Sequence, residues 1–107
     1  MAKKIVVDAG HGGVDSGAVG NGIIEKDLTL KISKYIFDRL KELGADVYIT
    51  RDTDETITPT ERVNRVKSAF GDNKDVIVVS NHINAGGGDV SYCEWLNLKI
   101  IFNFIIY

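Results

Sequence analysis

Runs of β-branched residues alternate along the chain with stripes of helical period. Ile5, Val6 and Val7 form one continuous run and Val76, Ile77, Val78 and Val79 another. Such runs suit strands buried on both faces. Between Ala45 and Thr50, Val47 and Ile49 share one face of a third strand, which gives way to the polar turn Arg51-Asp52-Thr53-Asp54. Leu28, Ile32, Ile36, Leu40 and Leu43 line one side of a helix that Gly44 is suited to end, with Lys31, Lys34, Asp38 and Lys41 mostly away from it. A second, shorter helix carries Val63, Val66 and Phe70, with Thr58 as N-cap, Pro59 in its first turn and Gly71 beyond its end. Strand, helix, strand, helix, strand predicts an α/β domain: a mainly parallel sheet of at least three strands, residues 5–8, 45–50 and 75–80, with flanking helices.

The first strand runs into a glycine-rich loop within Lys3 to Gly17, KKIVVDAGHGGVDSG, and this changes the picture from fold to chemistry. His11 emerges just past the strand's C-terminal end, the edge where open α/β sheets place their sites. Gly10, Gly12, Gly13 and Gly17 let the loop take positive φ and close around whatever His11 touches. A dinucleotide-binding loop fails in detail: the G-x-G-x-x-G spacing from Gly10 meets Asp15 where the third glycine belongs, and the helix opens only after the turn Gly20-Asn21-Gly22. His82 follows the third strand and Glu25 sits at the mouth of the first helix, so all three can meet at one sheet edge. Two neutral imidazoles and a carboxylate are good Zn²⁺ ligands and leave a fourth position for water. Such a site acidifies the water and polarises a carbonyl. Spacing alone leaves other readings open: two loop histidines exposed or bonded to backbone, and a carboxylate favoured at a helix start by the macrodipole without any metal.

Size and charge then narrow the classes. At 107 residues the chain fits one domain with a modest core. A net charge of −2 without a long run of one sign argues against a nucleic-acid partner. The single cysteine, Cys93, excludes an internal disulfide and a finger of paired cysteines. Met1-Ala2-Lys3-Lys4 leads directly into the first strand with no secretory h-region, which predicts cytoplasmic synthesis without a signal peptide. The end, WLNLKIIFNFIIY from Trp95 to Tyr107, is broken by Asn97, Lys99 and Asn103 and is shorter than the ~18 residues that suggest a membrane span, so no stable span is expected.

In order along the chain, VDAGHGGVDSGA at 7–18, IIEKDLTLKI at 23–32, YITRDTD at 48–54, ERVNRV at 61–66 and SNHINAGGG at 80–88 resemble the zinc-dependent N-acetylmuramoyl-L-alanine amidases of the amidase-3 type, which cut bacterial peptidoglycan. The resemblance covers most of residues 3–88, within a single domain spanning 1–107. It implies that His11, Glu25 and His82 are the three zinc ligands. Arg51 and Arg62 match recurrent family arginines of structural or electrostatic kind, with a surface or loop-anchoring ion pair expected ahead of substrate contact; Asn84, two residues past His82, is placed to orient the loop, and Asp15 suits either a turn bonded to nearby backbone amides or support of His11.

After Gly88 the resemblance ends. Residues 89–107, DVSYCEWLNLKIIFNFIIY, form a divergent apolar tail in which the family's catalytic glutamate has no matching position; Glu94 is the only glutamate after His82 and nothing around it fits. The expectation is therefore an amidase domain that is truncated and incomplete relative to the full family domain, with the tail adding a strand at an open edge or ending the fold poorly. Functionally it predicts a zinc-dependent hydrolase of the amide between N-acetylmuramic acid and L-alanine, of endolysin kind, acting at the bacterial cell wall once released. Two alternatives stand beside it: a catalytically inactive zinc-binding remnant without the general-base glutamate, and a metal-free module that self-associates through residues 90–107.

Overall fold

The computed structural model describes residues 3–20, 22–71, 75–84, 99–100 and 104–105. The three expected strands form as β1 (Lys4–Ala9), β4 (Asp46–Ile49) and β5 (Val76–Asn81), and the two expected helices as α1 (Glu25–Glu42) and α2 (Pro59–Phe70). Between β1 and α1 lie β2 (Val19–Gly20) and β3 (Ile23–Ile24), an antiparallel pair at the turn that the sequence marked only with glycines. Past β5 come β6 (Ile83–Asn84), β7 (Lys99–Ile100) and β8 (Phe104–Ile105).

The main sheet has the order β4-β1-β5-β7 and is parallel throughout. Val6 stands beside Tyr48 on one side and Val78 on the other, so residues 5–8, 46–49 and 76–80 do share one sheet. From the central β1 the chain goes through α1 to β4 at one edge, then through α2 back across to β5 on the other side of β1. The loops that leave β1 and β5 therefore diverge at the C-terminal end of the sheet, the topological switch point where such sheets open a crevice.

Side chains alternate across the sheet. Val6, Val76 and Val78 pack with Val66 of α2, flanked by Ala69 and Phe70, as the buried core of one face. Thr58 caps α2, its Oγ1 accepting from the Glu61 backbone N–H at 3.1 Å, and Pro59 begins the helix where its missing N–H costs nothing.

On the other face α1 departs from a simple apolar stripe. Leu28, Ile32, Ile36 and Leu40 are only half-buried and Leu43 is exposed, while the most buried residues of α1 are Glu25, Thr29 and Ser33. Glu25, Thr29 and Ser33 recur every four residues on the face that also carries Ile36 and Leu40. Their small or hydrogen-bonding side chains meet polar groups at the end of the sheet: Thr29 Oγ1 donates to the Gly10 carbonyl at 2.7 Å, and Asn81 Nδ2 of β5 donates to Ser33 Oγ at 2.8 Å. β7 adds to the β5 edge through the pairs Ile77–Lys99 and Val78–Ile100, and β6 pairs with β8.

Candidate metal centre

His11, Glu25 and His82 come from three elements that end at the switch point. β1 delivers the loop carrying His11, α1 begins with Glu25, and β5 ends one residue before His82. Their ligand-type atoms lie within 4.8 Å of one another. His11 Nε2 is 2.9 Å from Glu25 Oε2 and 3.2 Å from His82 Nδ1, and His82 Nδ1 is 3.5 Å from the same Glu25 oxygen. The two imidazole rings meet edge to face, 85° apart.

The surroundings set which atoms face the cluster. Asp15 Oδ2 lies 2.9 Å from His11 Nδ1, and that hydrogen bond, more than any other influence, holds the Asp15 carboxyl below its ordinary range. Asp15 thus occupies Nδ1, and Nε2 is the nitrogen that faces Glu25. Burial pushes the His82 imidazole below its usual value and so favours the neutral ring. Glu25 is held by two backbone N–H donors, Ala18 to Oε1 and Ile83 to Oε2, both at 2.9 Å. The three ligand-type atoms stand close enough to share one metal ion. Bonds of about 2.0–2.1 Å at tetrahedral angles would set such atoms about 3.3 Å apart, and the observed separations of 2.9, 3.2 and 3.5 Å bracket that value.

Glycines shape the cradle. A Cβ on Gly17 would lie 2.7 Å from His11 Cδ2 and 2.8 Å from Glu25 Oε1, and one on Gly10 would lie 2.6 Å from His82 Cε1. His11 itself has φ +63°, the one non-glycine residue in the left-handed region among those described. That conformation costs a non-glycine residue roughly 1–2 kcal/mol, and its neighbours hold it there. The His11 carbonyl accepts from both Arg51 Nε at 2.8 Å and Arg62 Nη2 at 2.9 Å.

The remaining sequence candidates fall into place unevenly. Asp15 contacts His11 Nδ1 through Oδ2, and its Oδ1 accepts from the Gly17 backbone N–H. Arg62 makes an ion pair with Asp8 at 2.7 Å and so anchors the loop. Arg51 is not a surface residue: it is 2% exposed and donates to carbonyls and a hydroxyl, its pKa lowered first by that burial. Asn84 is the second residue of β6, and its side chain lies outside those described, as does Glu94. Asp8, Thr50 and Ser80 escaped the sequence reading. Thr50 and Ser80 both donate to Asp8, and the available signal was a carboxylate ending a buried strand, which must find donors.

With the geometry in view, comparison with known proteins decides the family. The sequence model of the N-acetylmuramoyl-L-alanine amidase family, Amidase_3, matches residues 5–94. The chain belongs to this amidase family. It is 44% identical over 92 residues to the uncharacterized protein YqiI of Bacillus subtilis, covering 86% of this chain and 43% of that protein. It is 43% identical over 100 residues to the endolysin of Bacillus phage SPP1, covering 92% of this chain and 35% of that one. Among solved structures, the catalytic domain of CwlV, an N-acetylmuramoyl-L-alanine amidase from Bacillus (Paenibacillus) polymyxa var. colistinus, superimposes with a TM-score of 0.69 at 33% identity, over 83% of this chain and 49% of that one. The amidase-family chain thus spans less than half the length of these relatives. Its α/β fold with a parallel sheet and two helices is that of part of the CwlV catalytic domain.

Proposed function

We propose that His11, Glu25 and His82 bind Zn²⁺ and that the protein hydrolyses the amide between N-acetylmuramic acid and L-alanine in peptidoglycan. The observation that carries the reading is the convergence of three ligand-type atoms, 2.9 to 3.5 Å apart, at the switch point of an amidase-family fold. When bound there, the ion supplies Lewis acidity to a water and to a substrate carbonyl.

The chain's own residues supply the rest. Asp15 orients His11 through Nδ1, leaving Nε2 free for the metal. The N–H groups of Ala18 and Ile83 fix both oxygens of Glu25, so that the carboxylate cannot turn away. The imidazoles keep 24% and 34% of their side-chain surface exposed against 5% for Glu25, so a substrate approaches from the histidine side. Similarity to a phage endolysin supports action at the bacterial cell wall. No helix among the described residues is long and apolar enough to cross a membrane.

Turbidity of purified cell walls is the direct test. Loss of turbidity that a chelator abolishes and added zinc restores is the expected result. Zinc binding without any loss is what an inactive zinc-binding remnant predicts and would displace the hydrolase reading for this chain.

A further inference from the structure

We propose that Arg51 and Arg62 are positioning residues for the metal site, each tying His11 to one of the other two ligands. The inference rests on the zinc reading above. It starts from an oddity of Arg51, a cation 2% exposed whose hydrogen bonds go to uncharged oxygens. A buried guanidinium satisfied in this way is costly to keep, and what it joins explains its place.

Three of its acceptors are consecutive carbonyls of the loop: Ala9 and His11 bonded by Nε, and Gly10 by Nη2 at 3.0 Å. Two more belong to the first turns of α1, the Lys26 carbonyl at 2.9 Å and Thr29 Oγ1 at 3.3 Å, both from Nη2. One planar fork therefore locks the loop bearing His11 to the helix end bearing Glu25. A lysine offers a single point of charge and could not span both sets.

Arg62 makes the corresponding link to His82. Its Nη2 donates to the His11 carbonyl at 2.9 Å, while Nη1 donates to the Ala9 carbonyl and to Asp8 Oδ1, both at 2.7 Å. The other oxygen of Asp8 accepts from Ser80 Oγ at 2.7 Å, on β5 two residues before His82. The two arginines meet at the His11 carbonyl and together hold that residue left-handed, the conformation that turns its imidazole toward Glu25 and His82.

Neither arginine needs to touch substrate for this, so the measurement is zinc affinity rather than turnover. The full chain is compared as wild type, Arg51→Met, Arg62→Lys and Arg65→Gln, using Zn²⁺ in competition with a chromogenic chelator, with melting of each metal-free protein followed in parallel. Arg62→Lys keeps a charge beside Asp8 but not the fork. Arg65 bonds Glu55, Glu61 and the Thr50 carbonyl, and none of the loop carbonyls from 9 to 11, and serves as the control.

The zinc dissociation constant should rise about 10–100-fold in Arg51→Met and Arg62→Lys, as for loss of other outer-shell supports, and stay within about twofold of wild type in Arg65→Gln. If Arg51→Met does not fold, Arg62→Lys decides alone. Folded variants that melt lower yet bind zinc as tightly as wild type would show a merely structural role and overturn the proposal. A wild-type chain that binds no zinc, or binds it equally after His11→Ala, would remove the zinc reading itself, and this inference with it.

Discussion

His11 is held at both ends, its backbone by two arginines and its ring by Asp15, and the glycines around it leave no spare volume. Gly17 and Gly44 separate the two reasons for a glycine. Both have positive φ, +65° and +85°, but a Cβ on Gly44 would meet nothing within 4 Å, whereas on Gly17 it would press on His11 and Glu25. Gly44→Ala should therefore cost only the backbone penalty of roughly 1–2 kcal/mol. Gly17→Ala should cost at least as much and also weaken zinc binding. Denaturant melts with and without zinc would show it, and equal zinc-induced stabilisation in the two variants would count against the packing argument. At this scale the sequence was legible where chemistry and resemblance coincided, at His11, Glu25 and His82, which the fold does bring together. Arg51 was harder to read because an arginine in a polar turn normally faces water. Its burial follows from a loop whose carbonyls cannot bond to one another, and no local pattern encodes that.

Among the elements, α2 follows its sequence closely: cap, proline, apolar stripe and terminal glycine are each where local rules put them. Replacing the cap, Thr58→Ala, should lower stability by about 1 kcal/mol without changing zinc affinity, since the lost bond is to the Glu61 N–H and involves neither the three ligands nor the bonds of Arg51 and Arg62. Chemical denaturation and zinc titration of the same sample would check both halves of that statement. The first helix was legible in extent but not in what it buries. Hydrophobic periodicity picks out leucine and isoleucine, yet Thr29 and Ser33 are the residues with no exposed surface, because they take up the polar groups of the glycine loop and of Asn81. The β2–β3 pair was missed for a different reason: two residues per strand are too few for any period to show.

For the molecule as a whole, the order β4-β1-β5-β7 places the two strand-end loops of the site, after β1 and after β5, on either side of one crevice, and the parallel arrangement was legible because continuous β-branched runs alternate with helical stripes. Strand order was not, since it depends on which side of β1 each crossover returns. The same crevice carries a pH signature through Asp8. Burial opposes its ionisation, but the charge of Arg62 and hydrogen bonds from Arg62, Ser80 and Thr50 outweigh that, and its folded pKa is lowered. The stabilisation is therefore complete above the unfolded value of about 3.9 and is lost as pH falls through the lower, folded one. In urea titrations of the metal-free protein, Asp8→Asn should cost about 3 kcal/mol at neutral pH, as for breaking other buried pairs, and should flatten the loss of stability below about pH 4. A variant with the same acid limb as wild type would contradict that account. The central claim, a zinc site built from His11, Glu25 and His82, is tested most directly by calorimetric titration of the metal-free chain with Zn²⁺, alongside His11→Ala, Glu25→Ala and His82→Ala. The account predicts one ion per wild-type chain and binding severely weakened in each variant. Substoichiometric binding to wild type, or binding unchanged across all three variants, would contradict it.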